Sequence, residues 1–257
     1  MRRLAKAELL KLATTRTFVW LALTLVLLQG LTLGATLAFA PADGGRFPLA
    51  SDFTQRTLMA SGGMYGIIVA LLGIIGMTGE YRHGTITPTL LVTPSREQMV
   101  AAKVAVYGLA GLGLGLLSSA LTLAVALPGL AARTVDLALT PGDVAAILVG
   151  GLLYFPLSGV FGVGVGAVVR NQIAALAAVL VLFFIVESVL VRLSPEVARW
   201  LPGQAGSALY FPGPPAPQGT GLGATVLHQP IGGVVFAAYA AVLCLAGVVV
   251  TRSRDIT

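Results

Sequence analysis

Residues 173–193 read IAALAAVLVLFFIVESVLVRL, twenty-one residues holding one acid, Glu187, and one base, Arg192. A helix that crosses a hydrocarbon core of roughly 30 Å needs about 20 apolar residues, so this stretch is long enough to span a bilayer. Working outward, five more runs have the same character: Phe18–Phe39, Gly62–Met77, Val104–Leu127, Val144–Val169 and Ile231–Thr251. The second is short and glycine-rich, and charged residues flank all six. Composition agrees. Of the 257 residues 56% are hydrophobic and 10% charged, with a mean hydropathy of +0.92, whereas an average soluble domain carries about 25% charged residues. Too few charges remain to cover a water-facing surface, so lipid must be the solvent for most of it. The expected fold is all-α: one transmembrane domain over 1–257, a polytopic chain with six transmembrane helices.

The positive-inside rule sets the orientation. With the N-terminus in the cytoplasm, the inner segments hold Arg2, Arg3, Lys6, Lys11, Arg16, Arg82, Arg96, Lys103, Arg170, Arg252 and Arg254, eleven bases. The outer segments hold five: Arg46, Arg56, Arg133, Arg192 and Arg199. Six spans return the C-terminus to the cytoplasm, so both termini are expected there, in a multi-pass protein of the cell (inner) membrane. A secretory signal also starts basic, and Ala38-Phe39-Ala40 has the small-residue pattern of a cleavage site. The first apolar run is 22 residues long, against roughly 7–15 for a signal peptide, and Pro41 would follow the cut. The run is read as a retained helix. The net charge of +6 sits at the ends of apolar runs rather than along a polar face, which excludes nucleic acid as a partner and leaves the lipid bilayer.

Three segments lie outside the spans. Residues 1–16 contain RRLAKAELLKLATTR, a helix with Ala5, Leu9, Leu12 and Ala13 on one arc and Arg3, Lys6 and Lys11 mostly opposite. Leu4 and Leu10 weaken that pattern, so it fits either a helix in the headgroup layer or a cytoplasmic lead-in. The outer loop, 194–229, is proline-rich. Ser194, Pro195 and Glu196 are read as the N-cap and first turn of one short helix on the outer surface, followed by a second half that prolines keep from being helical. Trp200, Tyr210 and Phe211 suit the interface. Between spans two and three, residues 79–103 read GEYRHGTITPTLLVTPSREQMVAAK. Ser95 and Gln98 have capping-box spacing after Thr93-Pro94, which predicts that the third span starts as a cytoplasmic helix at Ser95. Both charge signs, an aromatic and a glycine in Glu80-Tyr81-Arg82-His83-Gly84 suit a protein contact at the membrane surface.

That segment resembles the permease subunits of bacterial ABC transporters of the type-2 exporter family. Those permeases carry an E-[YF]-R-x-G-T-[IL] stretch, a P-[ST]-R turn and a lysine opening the third helix. Here these are Glu80, Tyr81, Arg82, Gly84, Thr85 and Ile86, then Pro94, Ser95, Arg96 and Lys103. The opening Glu8-Leu9-Leu10-Lys11-Leu12 with Thr15-Arg16, and Leu201-Pro202 before the sixth helix, look similar too. The resemblance implies a dimer with a second permease copy or a paralogue, and a separate ATP-binding cassette subunit for each half. It implies that the 79–103 coupling loop seats Glu80, Tyr81, Arg82, His83, Gly84 and Thr85 on that subunit. It also implies no cofactor in this chain, ATP and Mg being bound by the partner ATPase, and export of an amphipathic or lipophilic cargo. None of the three lysines follows a glycine, so the chain has no P-loop of its own.

Within the spans, Glu187 is the one acid well inside an apolar run. It either lines a translocation path or dimer seam, or is a near-interface carboxylate hydrogen-bonded to a neighbouring helix. Gly111 and Gly115, and Gly162 and Gly166, recur at the spacing that lets helices approach closely, and Pro156 is placed to kink the fourth span. An intramembrane enzyme would need a nucleophile with a base, paired carboxylates or a metal cluster. His83 and His228 fall on opposite sides, no H-E-x-x-H or G-x-S-x-G occurs, and Ser118, Ser119 and Ser158 suit bonding to their own helices. Cys244, the single cysteine, permits no internal disulfide. An ion-coupled secondary carrier expects several intramembrane ionisable groups, and Glu187 alone is thin support.

Overall fold

The computed structural model describes residues 2–45, 47–82, 96–212 and 227–253. It is helical throughout, and no strand occurs among the described residues. Six helical stretches are long and apolar enough to cross a membrane: Arg16–Phe39, Ser61–Arg82, Glu97–Ala132, Pro141–Val169, Gln172–Leu193 and Gln229–Val250. They fall on the six expected runs.

In chain order, α1 (Arg2–Thr14) leads into α2 (Arg16–Phe39); α3 (Asp52–Met59) precedes a 3-10 turn (Ser61–Tyr65) and α4 (Gly66–Arg82). Then come α5 (Arg96–Ala132) and α6 (Pro141–Val169). The fifth span is α7 (Gln172–Leu180), a π-helical turn (Val181–Val186) and α8 (Glu187–Leu193). The short α9 (Pro195–Ala198) and α10 (Pro202–Tyr210) precede α11 (Gln229–Ser253). Successive spans alternate in direction. One face of the bundle therefore holds α1, the end of α4, the start of α5 and the α6–α7 turn, and the opposite face holds α3, α9 and α10.

Helix α6 is the centre, packed most extensively against α11, α4 and α5. It starts on a complete capping box in which Thr140 and Asp143 exchange hydrogen bonds, with Pro141 in the first turn, and it continues as one helix through Pro156. Its glycines explain the closeness. A Cβ on Gly162 would stand 2.0 Å from the Ala70 carbonyl oxygen of α4, and one on Gly111 of α5 would stand 2.6 Å from the Phe155 carbonyl oxygen. Backbone meets backbone at both crossings, as small residues permit in lipid. Tyr154, Phe161, Phe183, Phe236 and Tyr210 form a chain of ring contacts 5.0–5.8 Å apart through this core.

Several elements depart from expectation. The second span does not end at Met77: α4 continues to Arg82, so Glu80, Tyr81 and Arg82 stand on a helix end rather than in a loop. Helix α5 is described from Arg96 onward; Ser95, where its start is predicted, and Pro94 lie outside the described residues, as do His83, Gly84 and Thr85. Among its described residues the outer segment holds two helices where one was expected. Ser194 precedes α9, but its side chain makes no cap bond, and α10 is not on the surface. Pro202, Ala205, Gly206, Ala208 and Leu209 are buried, because a run of small residues lets α10 sink against α11 and α6. Tyr210 goes with it: its ring fills the place where Gly63 lacks a Cβ. The later prolines of that segment lie within residues 213–226, outside the described residues.

Helix α3 is unforeseen. Ser51 caps it, and buried Gln55 ties it down by donating to the Leu49 and Asp136 carbonyls and accepting from the Ala138 N–H. Arg56 bridges Asp52 at 2.7 Å and Asp143 at 2.8 Å, and donates to the Pro212 carbonyl. Its hydrogen bonds to both carboxylates, that to Asp52 first, outweigh partial burial and raise the Arg56 guanidinium pKa further. Replacing Gly162 by leucine should destabilise the bundle by at least the roughly 1–3 kcal/mol of ordinary overpacking, since its obstacle is backbone. Thermal unfolding in mild detergent would read this as a clear drop in midpoint beside wild type.

Candidate functional site

On the α1 face, four charged side chains from three helices converge, three of them buried and Lys11 half-exposed. Lys103, near the start of α5, is 1% exposed and is the largest fully buried side chain among the described residues. Its ammonium reaches Glu8 Oε2 of α1 at 2.8 Å, Glu80 Oε1 of α4 at 2.9 Å and the Gly76 carbonyl at 2.9 Å. Glu8 and the Gly76 carbonyl accept hydrogen bonds from it, and Glu80 pairs with it as an ion. Lys11 of α1 closes the ring, 2.8 Å from Glu8 Oε1 and 3.0 Å from Glu80 Oε1. Charges of alternating sign sum to zero, which is the condition under which four ions can leave water together.

The local sequence makes this junction. At 100° per residue, Glu8 lies between Ala5 and Leu12 on one face of α1, and that face is the one turned inward: Leu12 is buried and Ala5 packs on the core. Leu9, Leu10 and Ala13 are exposed, so the arc expected to be buried is rotated toward Leu4 and Glu8. Exposed leucines beside Lys6 are what a helix in the headgroup layer presents. Burial acts to raise the Glu8 carboxyl, but the paired Lys103 and Lys11 outweigh it and hold its pKa below the ordinary value. Burial likewise acts to lower Lys11, and Glu8 and Glu80 overcome it to raise that ammonium.

Of the six residues expected at a coupling interface, three are described. Glu80 is 4% exposed and faces the junction. Tyr81 is half-buried, with the Arg170 guanidinium 5.6 Å above its ring. Arg170 holds a left-handed backbone conformation (φ 57°) as the C-cap of α6 and also donates to the Val250 carbonyl of α11. Arg82 is exposed and donates to Gln172 at 3.4 Å. The end of α4 is thus held on one side by α1 and α5, and on the other by the α6–α7 turn.

Glu187 lies elsewhere, toward the opposite face. It is 1% exposed within the single chain and accepts from the Gly203 N–H at 2.8 Å and from the Gln204 side chain at 3.4 Å. Helix α10 starts after Leu201, which has no capping side chain, so Glu187 supplies the missing acceptor at its N-terminus, where a negative charge is favoured. A side chain on Gly203 would collide with it at 2.4 Å. The π-helical turn immediately before Glu187 shifts the helix register, as such turns do.

Gln29 escaped the sequence reading because it sits alone in an apolar run. It is fully buried and donates from Nε2 to the Ser118 carbonyl and to Thr122 Oγ1 of α5, 3.0 and 2.8 Å away. Ser158 bonds back to its own helix at Tyr154, as expected. No cluster of three or more metal-ligating side chains occurs among the described residues.

A family model described as ABC-2 family transporter protein matches residues 4–186. The chain belongs to the ABC-2 transporter family. It is therefore the membrane component of a transporter, a multi-pass permease, and the match takes in the whole four-charge junction, from Glu8 to Lys103. No curated protein matches the chain.

Removing one member of a buried ion pair typically costs about 3–5 kcal/mol. Lys103→Ala should fall in that range, since it strands two carboxylates, and Lys11→Ala well below it, its side chain being 49% exposed; urea or thermal unfolding in detergent would rank them. The depressed Glu8 value gives stability that is present above the unfolded carboxylate range, near pH 4.3, and is lost as pH falls through the lower folded value. Glu8→Gln should flatten that acid limb of the stability curve, and it should also shrink the alkaline limb that the raised Lys11 contributes, because Glu8 is the main cause of that rise.

Proposed function

We propose that this ABC-2 permease is the transmembrane subunit of an ATP-driven exporter. It works in the cell (inner) membrane as a dimer, with a second permease copy or a paralogue, and draws on separate ATP-binding cassette subunits that bind ATP and Mg. Both termini and the α1 face are cytoplasmic, following the excess of basic residues on that side. The cargo is amphipathic or lipophilic, in keeping with the apolar spans.

The observation that carries this reading is the clamp on the end of α4. Force applied just beyond Arg82, at His83, Gly84 and Thr85, would pass into α4, and the ion pairs of Glu80 would carry it to α1 and α5 together. Contact with the ATPase then belongs to Arg82, which is exposed, and to His83, Gly84 and Thr85, which follow it in sequence. Glu80 transmits from inside, and Tyr81, gripped by Arg170, extends the connection to α6 and α11. Such a junction moves three helices as one body, which a rocking change of access requires.

The test is co-purification of the tagged chain with the ATP-binding protein encoded beside it, followed by ATP hydrolysis and transport in proteoliposomes. A stable complex is expected, and Arg82→Ala should uncouple hydrolysis from transport while the unfolding midpoint stays within a degree or two of wild type. If no ATP-binding subunit associates with the folded chain, or Arg82→Ala together with His83→Ala leaves coupling intact, the reading fails.

A further inference from the structure

Helix α1 leaves one of its faces uncovered. Glu8 and Leu12 are buried, whereas Leu9 and Leu10 are 47% and 64% exposed, with Lys6, Ala7 and Ala13 exposed beside them. At 100° per residue, Lys6, Leu9, Leu10 and Ala13 share an arc of about 100° opposite Glu8. The partner of Glu8 tells where that arc looks. Lys103 lies about two turns into α5 counted from Arg96. Helix α1 therefore rests on the flank of α5 rather than beneath its end, and the face opposite Glu8 looks sideways from the bundle. Thr15 is extended (φ −84°, ψ 128°), which breaks the line between α1 and α2. Shortly beyond it Trp20 is 65% exposed, an aromatic of the kind that marks the boundary between headgroups and hydrocarbon. Charge completes the description. Residues 2–16 hold five bases and one acid. Glu8 and Lys11 belong to the four-charge junction, which is neutral, so Arg2, Arg3, Lys6 and Arg16 remain as surplus positive charge.

We propose that the outward face of α1 is a docking surface for anionic phospholipid of the leaflet in which it lies, phosphatidylglycerol being the simplest. The leucines enter the upper hydrocarbon and the bases meet phosphate, as in other helices that lie in a membrane surface. Lys6 stands about one turn before Leu9 and Leu10 on the same face. Its long stem can cover apolar surface while its ammonium reaches up to the phosphates. A zwitterionic surface would accept the leucines but offer four surplus positive charges no net counter-charge; an anionic surface answers both. The lipid would then press on the helix whose other face carries Glu8, and so hold Glu8 against Lys103 from outside. That this leaflet is the cytoplasmic one rests on the orientation proposed above; the preference for anionic lipid does not.

Nanodiscs carry the same lipids in both leaflets, so a test in them is indifferent to orientation and to any ATPase, and its failure is separable from failure of the export reading. The full chain is placed in nanodiscs of phosphatidylcholine doped with phosphatidylglycerol, and retained lipid is counted by native mass spectrometry. Phosphatidylglycerol should be favoured about twentyfold or more, as two bases worth about fivefold each at an anionic surface would give. High salt should shrink that ratio. Replacing Arg2, Arg3 and Lys6 together by glutamine should remove most of it. The unfolding midpoint in phosphatidylcholine should stay with wild type, because none of the three belongs to the ion ring. If that variant fails to fold, Lys6→Gln alone, at an exposed side chain, should still lower the ratio about fivefold. Arg82→Gln, at an exposed base on the same end of the bundle but off α1, should leave it unchanged. Equal retention of the two lipids by wild type, a folded α1 variant that keeps the full ratio, or an equal loss in Arg82→Gln overturns the proposal. So does a dimer mass that Leu9→Asp with Leu10→Asp abolishes while the lipid ratio stays the same, since the face would then belong to a second copy of the chain.

Discussion

Lys103 has no water to solvate it, and the arrangement of the α1 face follows from that. An ammonium so deeply buried keeps its charge only among fixed acceptors, and they come from three separate elements: Glu8 on α1, Glu80 and the Gly76 carbonyl on α4. Each carboxylate brought in to serve Lys103 is itself a buried charge, and Lys11 offsets the second one. The junction therefore fixes how α1, α4 and α5 lie against one another. An apolar contact between the same helices would tolerate sliding; a ring of alternating charges does not, because any shift leaves an ion unmatched.

The rest of the bundle shows the same economy with polar groups. Hydroxyls such as Ser158 and Thr78 bond back to their own helices, whereas the larger polar side chains fasten elements together. Gln29 ties α2 to α5, Glu187 completes the N-terminus of α10, and Arg56 joins α3 to α6. The glycines do the complementary work, allowing α6 to touch α4 and α5 through backbone. Rigidity is thus concentrated at α6 and at the two membrane faces, and the outward sides of α2, α7, α8 and α11 remain apolar toward lipid or a second subunit.

The spans were legible in the sequence because twenty-residue apolar runs have few other meanings. The end of α4 was not. Glu80, Tyr81 and Arg82 look like loop residues by polarity, and only the partners Lys103 and Arg170, far away in sequence, allow the helix to continue through them. Glu8 carried a signal that could have been used, an acid on the inward arc of an amphipathic helix with a base three residues on. Its true partner lies 95 residues away, which no local pattern reveals. Helices α3 and α10 were hidden for a similar reason. They are too short for periodicity to register, and α10 is buried because alanine and glycine make it thin rather than because it is strongly apolar. Glu187 was visible as an anomaly, yet its purpose depended on a glycine N–H across the outer turn.

The most direct measurement is a double-mutant cycle between Glu8 and Lys103, using Glu8→Gln, Lys103→Met and the double variant, with unfolding free energies determined in the same detergent. The junction predicts strong coupling, with the double variant far less damaged than the sum of the singles by more than about 1 kcal/mol, the range seen for residues in one ion-pair network. Additive effects within about 0.5 kcal/mol would mean that the two helices are held by something other than these charges, and the account of how α1, α4 and α5 act together would be wrong.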